Sequence, residues 1–180
     1  GDYDTPLGAI ENSSTRLTNG KVGAGWVGRK AFFSAGAQFE DSRFGVPFAG
    51  LFEGEEDAQI DIDSRRRDIR FDAGLRNLAN AFLDNAKLIF AYTDYAHSEV
   101  ETEDGEDAIA TTFENTTANL RFELEQKRRG RLTGRLGVEW FGRDYTAIGA
   151  EALTPPTAMS SVSLPSTCSL KLPVAPADAA

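Results

Sequence analysis

From Thr116 to Phe141 the chain alternates with period two. Ala118, Leu120, Phe122 and Leu124 interleave with Asn119, Arg121, Glu123 and Glu125; beyond Arg128-Arg129-Gly130, Leu132, Leu136, Val138 and Trp140 interleave with Thr133, Arg135, Gly137 and Glu139. Successive side chains of a strand point to opposite faces, so each arm has one apolar and one charged face. A glycine-containing turn between two such arms predicts a β-hairpin. Each arm is about ten residues long, against about five or six for an ordinary strand.

The same build recurs. Val22, Ala24 and Trp26 oppose Lys21, Gly23 and Gly25. After the short turn Gly28-Arg29-Lys30, Ala31, Phe33, Ala35, Ala37 and Phe39 oppose Phe32, Ser34, Gly36, Gln38 and Glu40. Asp41 to Asp57, with four glycines or prolines and an acidic end, reads as a long connection. Ile60 and Ile62 then fall in one phase and Ile69, Phe71, Ala73 and Leu75 in the other, which predicts a β-bulge or irregular segment across Ser64-Arg65-Arg66-Arg67. Asn77 to Asn85 is a connection with room for a helical turn. A strand from Ala86 runs toward Glu101, and Glu101 to Asp107 forms a second acidic loop. Gly1 to Ser14 is polar and turn-rich. Ala158 to Ala180 is rich in Ser, Pro and Ala, and its prolines remove ladder donors, so an extended or disordered tail is expected there and not a strand.

The pattern gives six strands in three up-and-down pairs. Charged residues make up 26% of the 180 and mean hydropathy is -0.35, and no run of about eighteen apolar residues exists, so a transmembrane helix is excluded. A membrane β-barrel is not, because only every second residue of its strands meets lipid. Short turns alternating with longer acidic loops also match the two sides of an outer-membrane barrel. The expected fold is therefore all-β, an antiparallel up-and-down transmembrane β-barrel segment. Six strands make an incomplete barrel, since single-chain barrels start at about eight, so the chain needs further strands or partners. The alternative is a soluble β-sandwich or lipocalin-like binding module, with the apolar face as core or cavity.

Charge and motifs narrow the function. A net charge of -9 argues against nucleic acid as partner. The single cysteine, Cys168, forms no internal disulfide. No signal-peptide pattern follows Gly1, so export requires a leader removed or lying outside the sequence. Gly23-Ala24-Gly25-Trp26-Val27-Gly28 matches G-x-G-x-x-G, but a strand and not a helix is expected after it, so no cofactor is assigned. His97, the only histidine, lies near Asp94, Glu99 and Glu101. These four are the candidate ligand-binding residues; His97, Glu99 and Glu101 share one strand face and Asp94 lies on the other. One histidine is thin support for a metal, and a polar strand end is the simpler account. Arg65-Arg66-Arg67 reads as a solvated or lumenal charge run. The acidic loops lack EF-hand spacing, and the glycosylation pattern at Asn12 and Asn115 is of the kind that occurs by chance. There is no G-x-S-x-G, and His97 has no recognisable nucleophile, so no catalytic residue is named and an enzyme is not expected.

Several stretches carry a resemblance as a set: Gly1-Asp2-Tyr3-Asp4-Thr5-Pro6 with Asn12-Ser13; Phe44-Gly45-Val46-Pro47; Tyr92-Thr93-Asp94-Tyr95 with His97 and Glu99; Thr112-Phe113 with Asn115; and Ala147-Ile148-Gly149 with Glu151-Ala152-Leu153 and Pro155-Pro156-Thr157. Residues 1–157 resemble the barrel domain of TonB-dependent outer-membrane receptors, in the subgroup that includes zinc-uptake receptors. The resemblance implies a barrel of about 22 strands with an N-terminal plug, importing a scarce ligand with energy from the TonB complex. Residues 158–180 do not continue the family pattern, as a truncated or frame-shifted reading frame would explain. The expected partners are outer-membrane lipid, the plug and remaining barrel strands, and the TonB complex through that plug. The fragment is not expected to transport alone. Ala31, Phe33, Ala35, Phe71, Leu120, Phe122, Leu136 and Val138 are expected to face lipid; Arg121, Glu123, Arg135 and Glu139 are expected to line the lumen.

Overall fold

Period-two alternation has one geometric outcome, a sheet with two chemically different faces, and the computed structural model of the chain has that form. It describes residues 2–48, 59–103, 106–149, 152, 155–164 and 166–170. Two short strands, β1 (Tyr3–Thr5) and β2 (Gly8–Ile10), make a small hairpin. Six long strands follow: β3 (Thr15–Val27), β4 (Ala31–Val46), β5 (Gln59–Leu75), β6 (Leu83–Glu103), β7 (Glu106–Gln126) and β8 (Leu132–Gly149). Each pairs antiparallel with the next in chain order. Two last strands, β9 (Thr157–Ser163) and β10 (Ser166–Leu170), both pair with β8.

The six predicted strands are present and longer than expected, 13 to 21 residues each. β4 runs on through Asp41–Val46 and β6 through Glu101–Glu103, so most of the second acidic loop is ladder; Asp104 and Gly105 lie outside the described residues. Short turns and long loops therefore do not alternate as predicted. The helical turn allowed within Asn77–Asn85 does not occur. Leu83 already starts β6, and Asn80 Oδ1 accepts from the backbone N–H of Phe82 (2.8 Å) and of Leu83 (2.6 Å).

The bulge expected at Ser64–Arg67 is absent: β5 keeps one register with both neighbours from end to end. The phase change there is a real change of apolar side along a regular strand. Register shifts fall elsewhere, at Leu83/Asn85 and at Glu99/Val100, where Ala110 is the extra residue on β7. The tail is a second correction. Thr157 pairs with Tyr145 and Ser163 with Glu139; Ser166 then pairs with Leu136 and Leu170 with Leu132. These partners keep a single register, so β9 and β10 are two pieces of one seventh strand, interrupted where the sequence has Pro165. Residues 171–180 lie outside the described set.

At the tight β7–β8 turn, Arg129 and Leu132 exchange backbone hydrogen bonds of 3.1 and 3.0 Å, and Gly130 takes φ 60. A glycine at the first central position with positive φ is what a two-residue hairpin loop asks for. Lys127 Nζ donates to the carbonyls of Leu78 and Asn80, both at 2.8 Å, and Arg129 donates to Ala81 O, so this turn straps the β5–β6 connection. The strand order runs from β3 at one edge to β9 and β10 at the other, and the sheet is not closed. Among the described residues only Val100 and Ala147 are buried hydrophobics, and Thr111, beside the bulge, is fully buried. Among the described residues no second layer packs on the sheet.

Candidate functional site

Register assigns every long-strand residue to a face. Val22, Ala37, Ile69, Tyr92, Ala118 and Gly142 form one row across six strands; Ala24, Ala35, Phe71, Phe90, Leu120 and Trp140 form the next toward the turns. Below these lies the row Trp26, Phe33, Ala73, Leu88, Phe122 and Val138. The eight positions expected to meet lipid all share this face, and Val22, Trp26, Phe33, Ile69, Leu120, Leu136 and Trp140 are exposed. Toward the loops the belt stops at one level on β5 to β8, while β4 keeps the exposed Phe39 at that level, opposite Gly20 of β3. Arg67, Asp94, Thr116 and Asp144 are mutual partners in the next row. From that row Arg67 reaches Asp41 in the next (2.8 Å), and further out the same face carries the ion pair Arg43–Asp61 (2.8 Å).

The opposite face is a ladder of charges. Arg121 pairs with Glu123 and, at 3.6 Å, with Glu139, which also accepts from Asn119 Nδ2 at 2.7 Å. Arg135 reaches Glu125 at 3.9 Å, and Asn85 donates to the same carboxylate at 3.0 Å. Asp72 receives Arg70 (2.8 Å) and Lys87 (3.8 Å). Arg66, the middle arginine of the triple, turns to this side and pairs with Asp68 at 2.8 Å, while Arg65 and Arg67 belong to the other face. Arg121–Glu139, Arg135–Glu125 and Lys87–Asp72 cross between strands and favour the register, whereas Arg121–Glu123, Arg70–Asp72 and Arg66–Asp68 join residues two apart on one strand; all keep the face polar, each contributing little. Phe32, Ile89 and Phe141 are apolar members of this face; Arg76 stacks over Phe32 at 4.7 Å.

The structure separates the four candidate ligand residues. Asp94 lies on the apolar face at its charged rim, where Thr116 Oγ1 donates to it at 3.4 Å. His97, Glu99 and Glu101 share the polar face, as alternation requires. Spaced two residues apart on a regular strand, neighbours stand about 7 Å apart and His97 and Glu101 about 13 Å apart, so the three do not converge. No group of three or more possible metal ligands forms among the described residues. His97 instead enters an aromatic cluster, stacked on Phe113 at 4.6 Å and tilted against Tyr95 at 5.5 Å. Its Nδ1 is buried without a hydrogen-bond partner among the described residues, and burial holds its pKa below the ordinary value, which favours the neutral ring.

Sequence reasoning missed the anchoring of the loop end. Asn12, at φ 52, donates from Nδ2 to Ile60 O at 2.8 Å and to Val46 O at 3.4 Å. It crosses β4 at Gly45, where a Cβ would collide with the Asn12 backbone and side chain, so only glycine leaves the passage open. Asn12-Ser13-Ser14 had signalled only a loop; nothing local reveals a partner 48 residues away. Open recesses occur on the polar face among the described residues. One of ≈ 230 Å³ is lined by Phe32, Arg76, Lys87, Glu125 and Arg135; a wider one of ≈ 570 Å³ lies over Lys21, Gly36, Gln38, Arg66 and Asp68. Both mix charges of either sign. Gly23–Val27 lies inside β3 and the chain turns at Gly28 into β4, so the G-x-G-x-x-G match has strand on both sides. No protein-family model matches the chain, and no curated protein is similar to it at a significant level.

Proposed function

We propose that this chain is a stretch of the wall of an outer-membrane barrel, belonging to a receptor of the TonB-dependent kind. Its apolar face meets lipid and its charged face lines the lumen. In the full-length receptor the wall surrounds a plug, and a scarce nutrient such as a metal or metal chelate passes inward with energy from the TonB complex. The open sheet does not enclose a lumen, so this stretch does not transport alone. The observation that carries the reading is the bounded, exposed apolar belt across six strands, opposite a face of ion-paired charges. The resemblance over residues 1–157 supplies the receptor class.

The two tryptophans give a direct test, because Trp26 and Trp140 both lie on the apolar face and no others exist. The chain is refolded into phosphatidylcholine vesicles with and without acyl-chain bromine. Strong quenching of tryptophan emission by brominated lipid is the expected result. A detergent-free, monomeric protein with a sharp melting transition and unquenched tryptophans would instead establish the soluble β-sandwich or lipocalin-like module.

A further inference from the structure

The hydrogen-bond phase of β3 follows from its two ends. Gly28 N donates to Ala31 O at 2.8 Å, and Gly45 N donates to Ser14 O at 3.0 Å. The β3–β4 register places Val27 opposite Phe32 and Thr15 opposite Phe44, so 28 with 31 and 14 with 45 continue the same ladder. In an antiparallel pair, hydrogen-bonded and non-bonded positions alternate. The even-numbered residues of β3 therefore direct their backbone groups to β4. The odd-numbered residues from Thr15 to Val27 direct theirs outward, where no strand lies among the described residues. Several of these, from Lys21 to Val27, lie at the level of the apolar belt. In a bilayer core no water is present to satisfy such N–H and C=O groups, so they call for a partner strand.

The two edges are unlike in continuity and alike in direction. β3 is unbroken over 13 residues, contains no proline, and is exposed except at Gly20. The other edge is two pieces of 7 and 5 residues around Pro165, which has no N–H to give. β3 runs from the loop end, where Thr15 faces Phe44, to the turn end. The β9–β10 strand also runs that way, from Thr157 beside Tyr145 to Leu170 beside Leu132. A second copy inserted with the same polarity can offer either edge only a parallel strand.

The geometry points to β3 as the acceptor edge for one further antiparallel strand, running from the turn end to the loop end, with an odd number of strands completing the wall. The incoming strand places apolar side chains beside Val22, Ala24 and Trp26 and polar ones beside Lys21, Gly23 and Gly25. That the donor is another part of the receptor rests on the proposed function; the polarity and phase do not.

The probe is a synthetic peptide of sequence Ala31–Val46, which has the required alternation and pairs with β3 in antiparallel sense on its other side. Amide hydrogen exchange is followed on the full chain in detergent micelles. Odd-numbered amides of β3 should exchange freely, even-numbered ones slowly, and the peptide should slow the odd set by roughly tenfold or more. The same peptide with alternate amides N-methylated should not. A photo-crosslinker at the peptide's first residue should attach near Trp26–Val27. Four outcomes overturn the proposal: odd amides protected in the dilute chain alone, protection rising with chain concentration without peptide, equal protection by the N-methylated peptide, or attachment near Thr15–Arg16. If peptide protection holds while brominated lipid fails to quench, the edge stands and the membrane reading falls.

Discussion

Leu136→Arg is the substitution that best separates a lipid-facing wall from a water-facing one. On β8 the apolar face reads Leu132, Gly134, Leu136, Val138 and Trp140 before Gly142 and Asp144. Leu136 stands four residues from Leu132 and four from Trp140, about 14 Å along the strand each way at ~3.4 Å per residue. With barrel strands tilted about 45°, that is roughly 10 Å of depth on either side, within an apolar band about 25 Å tall. A cation there meets the midplane cost of about 2–4 kcal/mol, or roughly 30- to 700-fold in the folding equilibrium. Arg135→Leu, one residue away on the other face, removes a 3.9 Å ion pair whose side chains are 57% and 43% exposed. Such a pair is worth about 0–1 kcal/mol. The assay is urea-dependent refolding into phosphatidylcholine vesicles, read by tryptophan emission and protease protection. In water the comparison changes: Leu136 is 55% exposed, and its replacement by Arg stays within about 0.5 kcal/mol. Equal costs for the two variants would refute the assignment of faces.

Three further outcomes follow from the ends of the sheet. Asn12→Asp removes two donated hydrogen bonds and sets a carboxylate against the Val46 and Ile60 carbonyls; a loss of about 1–3 kcal/mol is expected, confined to the loop end and read as faster amide exchange there, with the 127–131 turn unchanged. Gly130→Ala forces a side chain into φ 60 and should lower stability by about 1–2 kcal/mol in the same urea titration. Burial lowers the His97 pKa, so the unfolded chain binds the proton more tightly than the folded chain. Stability should then be fully present above the ordinary value of 6.5 and fall as pH drops below it, and His97→Phe should flatten that slope in urea midpoints taken across pH 5–8.

The belt was legible because a half-apolar strand writes its period into the sequence. Leu120, Phe122, Leu136 and Val138 needed only counting, and so did the facing of Arg121, Glu123 and Glu139. Beyond the belt the signal disappears for a physical reason. Asp41-Ser42-Arg43 is strand with polar groups on both faces, and hydrophobic periodicity has nothing to register there. The same blindness shortened β6 and turned Glu101–Glu103 into a loop. At Ser64–Arg67 the apolar residues change sides along a strand that keeps its register, and a phase break alone resembles a bulge. The true bulge at Ala110 has no such mark, since its neighbours Ile109 and Thr111 are both good strand formers. In the tail, the prolines made a strand look excluded; a proline costs an edge strand only one donor, and the register carries across it. The His97 cluster was legible as a shared face with Glu99 and Glu101, but the stacking on Phe113 depends on the β6–β7 register.

The level at which the belt ends bears most directly on what the apolar face meets. Half of a soluble sandwich keeps its alternation along most of each strand, because the facing sheet covers it from end to end at about 10 Å. Here the strands reach 21 residues, close to 70 Å at about 3.3 Å each, while the apolar rows fill only part of that length. The change occurs together on four neighbours, at Arg67, Asp94, Thr116 and Asp144, although no local sequence motif links them. At and past that row the same face holds Arg67–Asp41 and Arg43–Asp61 in ion pairs suited to water. A facing protein layer has no reason to stop along one line across separate strands; a lipid–water boundary does. Moving that line is therefore a sharper trial than deleting any one contact. Thr116→Leu and Asp144→Leu together lengthen the belt by one row on β7 and β8. They should deepen insertion in thick-chain vesicles and leave folding in thin-chain vesicles nearly unchanged, measured by depth-dependent quenching of Trp140. Identical quenching in both lipids would show that the face is not read by a bilayer.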